Sequence, residues 1–256
     1  VYYSILPTTT QYARNALFSG LMPNEIKKRF PQYWKEEDEE GSKNQFEEEL
    51  LMQQLKMNGR NIKVSYNKVL NLNAGKKLFE NISNLTENHL NVIVYNFVDM
   101  LSHARTEMEI IRELADDESA YRSLMVSWFE HSSLFDIIKY LSSQQVELII
   151  TTDHGSIRVQ DPVKILGDRK VNSNLRYKFG KSLAYDEKEV FEMKNPEEYY
   201  LPKINVSTRF VFTRNHEFFA YPNNYNYYAK YYRNTFQHGG LSMEEILIPF
   251  ITLSPK

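Results

Sequence analysis

Two nearly continuous apolar runs, each followed by an aspartate, place the strongest constraint on the fold of this 256-residue chain. The first run, 91–98, leads into Asp99, and the second, 146–152, leads into Asp153. Runs without polar alternation are typical of strands covered on both faces, as in a parallel sheet. The sequence therefore predicts an α/β fold with a central, mostly parallel sheet flanked by helices. Both aspartates would lie at the carboxyl edge of that sheet, where ligands of such folds bind.

Helical patterns precede and separate the two runs. A helix is predicted from about Gln11 to Ser19, with Thr10 as its N-cap and Gly20 as its stop. Near the end of the chain, Ser242 begins a capping box for a short helix, and a closing strand is predicted over 248–253. Further helices are predicted over 24–30, 45–57, 106–114 and 121–141.

The stretch from 161 to 236 breaks into shorter elements and is predicted to be a small, β-rich, cap-like insertion within one domain spanning 1–256. Short strands are expected over 163–166, 209–214 and 217–221. The last two are expected to form a hairpin around Asn215. The end of the stretch, 221–236, interleaves tyrosines with Lys230 and Arg233. These rings could stack on nucleobases, but an aromatic segment folded over the sheet is the favoured interpretation.

Composition excludes several classes of site. The chain has no cysteine, which excludes disulfides, thiolate zinc sites and a thiol nucleophile. Its net charge of −2 gives no overall attraction for nucleic acid. No apolar run reaches membrane-spanning length, so we expect no membrane insertion and a cytoplasmic location. Because the chain starts at Val1 within an apolar stretch, we expect it to be part of a larger protein.

Three short clusters hold side chains that bind divalent metals. They are Asp99 with His103, the triplet Asp153-His154-Gly155, and His238 followed by two glycines. Each alone is weak support for a site, but all three are expected at strand ends or glycine turns. Upstream, Thr10 at a helix start offers a hydroxyl that a metal ion could ionise. Two metals and such a nucleophile are the inventory that phosphoryl transfer needs.

These motifs resemble the alkaline phosphatase superfamily. The segment 7–23, Pro-Thr-Thr-Thr through Gly-Leu-Met-Pro, resembles the nucleophile segment of its phosphodiesterases. The later order Asp-x-x-x-His, Asp-His-Gly and His-Gly-Gly-x-Ser-x-Glu-Glu resembles its two-zinc signature. Among the branches, the chain is most similar to the PglZ domain, and in particular to the one in the response regulator of the type IX secretion system. The resemblance covers essentially the whole chain.

The resemblance implies two zinc sites. Asp99, His103 and His238 would hold one ion, and Asp153, His154 and the Thr10 hydroxyl would hold the other. The family also uses an aspartate upstream of the nucleophile, whereas this sequence has no acid before Glu25. The second site is therefore expected to be incomplete and to bind zinc more weakly.

The implied reaction is phosphodiester hydrolysis through a phosphothreonine, with short or cyclic oligonucleotides as the substrate class. Arg14 and Asn15, one turn into the nucleophile helix, are candidates for binding a phosphate oxygen. Arg176 and Lys178 are further candidates, with plain surface charge as their alternative. The resemblance also implies an output domain that meets a sensor kinase and regulatory proteins through the parent protein, and a homodimer.

Two alternatives stay open from the sequence. One is a phosphomonoesterase on the same fold, and the other is a non-catalytic signalling or binding module with structural zinc. Threonine as the nucleophile and the Gly-Leu-Met-Pro ending of the segment favour the diesterase.

Overall fold

The computed structural model describes residues 2–37, 39–167, 172–203 and 205–255, and its architecture is mixed α/β. The chain divides into two compact units. The first comprises Val1–Gly59 and Thr151–Pro249, and the second comprises Arg60–Ile150 and Phe250–Lys256. No helix in the described part of the chain combines the length and apolarity needed to cross a membrane.

The first unit begins with a short strand and three helices. The first helix ends at Gly20, whose φ of 66° lets its N–H donate to the Ala16 carbonyl, as the sequence predicted. Its N-cap is Thr9 and not Thr10, because Thr9 keeps an extended backbone while Thr10 is already helical. The elements are β1 (Tyr2–Tyr3), α1 (Thr10–Ser19), α2 (Pro23–Arg29) and α3 (Glu47–Met57).

The second unit contains a parallel strand pair and a set of helices. The pair runs in register from Val64 opposite Leu90 to Val69 opposite Tyr95. Its first strand, and the helix after it, lie where the sequence predicted no element. The elements are β2 (Val64–Val69), α4 (Leu72–Glu80), β3 (Leu90–Tyr95), α5 (Phe97–Glu107), α6 (Glu109–Leu114), α7 (Glu118–Glu130), α8 (Ser133–Leu141) and β4 (Leu148–Thr151).

Two boundaries in this unit differ from prediction. The strand predicted over 91–98 ends at Tyr95, and Asp99 lies in the first turn of α5 instead of at the strand end. The apolar residues continue across this boundary, so the pattern does not mark it. The helix predicted over 121–141 is two helices, because the Ser132 hydroxyl accepts a hydrogen bond from the Phe135 N–H and caps α8.

The remaining part of the first unit consists mainly of short strands. A three-stranded antiparallel sheet has the order β7-β9-β8, and β10 pairs with β6 in parallel. The closing segment is split, since β12 pairs with β1 and β13 lies beside β4. The elements are β5 (Ile157–Arg158), β6 (Asp161–Lys164), β7 (Tyr177–Gly180), β8 (Phe191–Met193), β9 (Arg209–Phe212), β10 (Glu217–Ala220), α9 (Tyr225–Tyr232), β11 (Phe236–Gln237), α10 (Met243–Ile246) and β12 (Leu247–Ile248). The last strand, β13 (Phe250–Leu253), belongs to the second unit.

The predicted hairpin around Asn215 was wrong. The turn exists, but β9 and β10 pair with other strands. The Thr213 N–H donates to the Arg176 carbonyl, and the Phe219 N–H donates to the Leu175 carbonyl. A segment from elsewhere in the chain therefore lies between the two strands.

Only the serine half of the capping box predicted near the end of the chain is present. The Ser242 hydroxyl accepts a hydrogen bond from the Glu245 N–H at the start of α10. Glu245 itself is fully buried, unlike a typical capping glutamate at a helix surface. Its side chain and carbonyl are engaged elsewhere in the first unit.

Candidate active site

Thr10 lies at the start of α1 in the first unit. Its Oγ1 is 3.3 Å from Nε2 of His154. The unpaired N–H groups at a helix start give that end a partial positive charge, which favours an anion. The helix start thus places the candidate nucleophile in a setting that stabilises negative charge.

The Asp153-His154-Gly155 turn brings two adjacent donor side chains to the same place. Nδ1 of His154 donates to the Gly155 carbonyl at 2.9 Å, since a carbonyl only accepts. Its Nε2 then lies 3.7 Å from Oδ2 of Asp153 and faces Thr10. A Cβ at Gly155 would collide with the Glu244 carbonyl oxygen, so only glycine fits this close passage. The predicted convergence of Asp153 and His154 is therefore present.

Arg14 ties this turn to helix α3. Its Nε is 3.2 Å from Oδ2 of Asp153, and its Nη1 is 3.5 Å from Oε1 of Glu47. All three side chains are buried. Burial raises the pKa of the Asp153 carboxyl, but the positive charges of His154 and Arg14 outweigh burial and hold it below its usual value.

Asn15, the other phosphate candidate on this helix, is also buried. Its Nδ2 donates to the Lys43 carbonyl at 3.1 Å, while its Oδ1 has no hydrogen-bond partner among the residues that the structure describes. A role of Arg14 or Asn15 in binding phosphate stays a prediction.

His238 lies in the same unit and stacks on His154. The two ring centroids are 4.2 Å apart with an interplanar angle of 18°. Nδ1 of His238 donates to the Thr8 carbonyl at 3.1 Å. The Thr8 hydroxyl accepts from the Gly239 N–H and donates to the Gly240 carbonyl, each at 3.0 Å. Thr8, which the sequence reasoning did not single out, therefore joins the nucleophile segment to the His238 turn.

Asp99 and His103 form a pair on α5 in the second unit. Their separation of four residues puts them on one helix side, with His103 Nε2 3.6 Å from Asp99 Oδ1. The His103 side chain is 60% exposed and that of Asp99 is 32% exposed. The predicted sharing of one metal ion by this pair and His238 stays a prediction.

His154 and His238 fit the requirements of metal ligands. Nδ1 of both His154 and His238 is fixed by a backbone carbonyl, which leaves Nε2 as the basic nitrogen. Metal-ligating histidines almost always have such a partner for the second ring nitrogen. Together with a carboxylate such as Asp153, this donor set suits a borderline ion such as zinc.

Arg176 and Lys178 both lie in the interior. Arg176 is fully buried and forms an ion pair with Glu245, whose Oε2 lies 2.6 Å from its Nη2. Lys178 is 1% exposed, and its Nζ donates to the Asn172 carbonyl at 2.6 Å. Burial lowers the pKa of Lys178 to about 8, against an opposing effect of the Glu37 charge. The alternative that both residues are plain surface charges is wrong, because both side chains are buried. Their contact with substrate stays a prediction.

The site thus combines a hydroxyl at a helix start with an adjacent aspartate and histidine, in a mixed α/β fold. A family model described as the BREX system PglZ alkaline phosphatase-like domain matches residues 1–253. The chain therefore belongs to the PglZ family, as its motifs predicted. A comparison with curated proteins finds no match. Membership places the chain among the metal-dependent hydrolases of the superfamily.

Proposed function

We propose that the chain is a zinc-dependent phosphodiesterase that uses Thr10 as its nucleophile and two metal ions. The observation that supports this most is the 3.3 Å approach of Thr10 Oγ1 to Nε2 of His154, beside Asp153. In the proposal, Asp153 and His154 hold one zinc with Thr10, and Asp99, His103 and His238 supply the ligands of the other. Bound zinc would lower the pKa of the hydroxyl and offset charge on the phosphate oxygens.

The proposed reaction has two displacements at phosphorus. The Thr10 hydroxyl gives its proton to solvent and its oxygen attacks phosphorus, so that a Thr–O–P bond forms. The bond to the departing alkoxide breaks as that oxygen takes a proton from solvent. Water then attacks the same phosphorus, which releases the Thr10 hydroxyl and a phosphomonoester. The Gly155 carbonyl keeps His154 turned towards Thr10 through both steps, and the start of α1 stabilises the negative charge.

We expect the chelated protein to be inactive and the zinc-restored protein to hydrolyse bis(p-nitrophenyl) phosphate faster than p-nitrophenyl phosphate. Rates for both substrates are measured at equal zinc content, determined by elemental analysis. A preference for the monoester would instead support a phosphomonoesterase. Zinc binding without hydrolysis of either substrate would support a non-catalytic module.

The tyrosine helix α9 supports oligonucleotides as the substrate class. Two of its tyrosines are structural, because Tyr225 and Tyr232 pack against the cluster around Phe218. Tyr227 is 62% exposed, and its ring stacks on Tyr231 with centroids 5.9 Å apart. Exposed aromatic faces can stack on bases without reading their sequence.

The charge around α9 also suits a polyanion. From 218 to 243 the sequence has no aspartate or glutamate, while α9 and the residue after it contribute Lys230 and Arg233. This stretch leads directly through β11 to His238. A single strand lying along α9 would thus be led towards the proposed site.

Tyr227→Ala is expected to raise KM for a short single-stranded oligonucleotide by roughly 5- to 100-fold, since a stacked base contributes about 1–3 kcal/mol. Hydrolysis of the chromogenic diester should not change, because that substrate carries no nucleobases to stack on the tyrosine ring. Tyr199→Ala removes an equally large exposed ring from another segment and serves as the control. Equal KM values for the two variants would contradict base stacking on α9.

We further propose that the domain acts as the output part of a two-component response regulator of type IX secretion. The support is the resemblance of its motifs to the C-terminal part of PorX, the response regulator of the type IX secretion system. The sensor kinase and regulatory partners, the homodimer and the cytoplasmic location belong to this proposal. The parent protein's oligomeric state and hydrolysis rate, measured before and after phosphorylation by its kinase, would test it.

A further inference from the structure

A fully buried ion pair lies behind the His154 and His238 turns. Nε and Nη2 of Arg176 lie 3.1 Å and 2.6 Å from the two carboxylate oxygens of Glu245, and neither side chain is exposed. Nη1 of Arg176 also donates to the carbonyls of Arg214 and Glu217. Two parallel N–H···O bonds fix both the distance and the plane of the carboxylate. Such pairs are costly to desolvate and are poor candidates for stability alone, so a specific geometric role is a fair expectation.

Glu245 binds both turns at once. Its Oε1 accepts a hydrogen bond from the Gly240 N–H at 2.8 Å, two residues after His238. Its backbone carbonyl accepts from the Gly155 N–H at 2.9 Å, one residue after His154. One residue therefore sets the position of both turns relative to each other.

Close packing leaves these turns little freedom. A Cβ at Gly240 would lie 2.7 Å from Nε and 2.8 Å from Cζ of Arg176. Asn174 adds a further tie, since its Nδ2 donates to the His238 carbonyl at 3.0 Å and its Oδ1 accepts from the Arg176 N–H at 2.7 Å. The guanidinium of Arg176 thus packs against the His238 turn, and its backbone N–H is linked to that turn through Asn174.

We propose that Glu245, held by Arg176, is a positioning residue that sets the separation of the His154 and His238 rings. It touches neither substrate nor metal in this assignment and acts through the two glycine turns. The consequence for zinc binding and hydrolysis rests on the proposed function, whereas the ring geometry does not. The pair explains why Arg176 is buried beside the candidate site without facing solvent.

The test compares Glu245→Gln with Glu244→Gln, a matched change at the neighbouring exposed glutamate. The glutamine keeps an acceptor for the Gly240 N–H but removes the charge that orients the Arg176 fork. In the metal-free protein, histidine-ring NMR resonances of His154 and His238 should shift in Glu245→Gln. Those of His89 and His131, which lie far from Arg176 in the sequence, should stay in place, and Glu244→Gln should match the parent throughout.

Zinc affinity gives a second readout. Competition with a chelating dye should show about 10- to 100-fold weaker zinc binding in Glu245→Gln, the usual effect of losing a group that orients metal ligands. At saturating zinc the variant should lose kcat more than it raises KM. If Glu245→Gln does not fold, Arg176→Lys, which keeps the charge but loses the fork, takes its place with the same expectations.

The outcomes separate this inference from the proposed function. Unchanged His154 and His238 resonances in a folded variant would overturn the positioning role, whatever the hydrolysis assay shows. Shifted resonances with unchanged zinc affinity would uphold the effect of Glu245 on the two rings and overturn its consequence for metal binding. Shifted resonances and weaker zinc binding, in a parent that hydrolyses no diester, would uphold the positioning role and overturn the phosphodiesterase alone.

Discussion

Thr10→Ala is expected to lower diester hydrolysis by about a thousandfold or more, because the variant lacks the oxygen that forms the covalent bond to phosphorus. The backbone around Thr10 should not change, since the cap of α1 is the preceding residue and makes no side-chain cap hydrogen bond. Steady-state rates with the chromogenic diester, measured at matched zinc content, give the result. A variant that keeps more than about a tenth of the parent rate would show that another nucleophile or a metal-activated water does the chemistry.

Thr10→Ser is the matched control for this change. Serine keeps a hydroxyl at the same position, 3.3 Å from His154 Nε2 in the parent, and should retain most of the activity. Zinc held by Asp99, His103 and His238 in the proposed arrangement should remain bound in both variants, because those ligands do not include the hydroxyl. Loss of all zinc from Thr10→Ala would contradict that assignment.

The sequence predicted helix ends and tight turns well, because these features depend on neighbouring residues. Gly20 ends α1 through its positive φ, and Ser242 caps α10, as the residue types alone indicate. The sequence placed Thr10 within one residue of the N-cap, and its candidacy as the nucleophile rested on that position together with the resemblance of the 7–23 segment. Glycine after His154 likewise predicted a turn through which two adjacent side chains could converge.

Features that depend on distant segments were not predictable in this way. The prediction of a hairpin around Asn215 was wrong because Leu175 and Arg176 lie between the two strands. No local sequence pattern indicates such an inserted segment. The end of β3 was missed because apolar residues continue into α5. Arg176 appeared in the sequence as a cation near a motif, and only the fold shows that Glu245 neutralises it in the interior.

Arg14→Met is expected to destabilise the protein by about 3–5 kcal/mol, the usual cost of removing one partner from a buried ion pair. The change breaks contacts to both Asp153 and Glu47, whose side chains are 9% and 1% exposed. For a chain of this size the midpoint of thermal unfolding should fall by roughly 10 °C. Arg29→Met breaks a surface ion pair with Glu25, on side chains that are 55% and 40% exposed, and should change the midpoint little.

The pH dependence of the difference in unfolding midpoint between the parent and Arg14→Met shows whether it comes from charge pairing. In the parent, the lowered pKa of Asp153 contributes stability that is present above the unfolded-state pKa of about 4 and is lost as the pH falls through the folded-state pKa. In Arg14→Met, burial without the guanidinium should raise the pKa of Asp153, so that protonation relieves the unpaired charge at higher pH. The gap between the unfolding midpoints of parent and variant should therefore narrow as the pH is lowered from 7 towards 4. A gap that stays constant over this range would show that Arg14 stabilises the fold by packing its side chain and not by pairing with carboxylates.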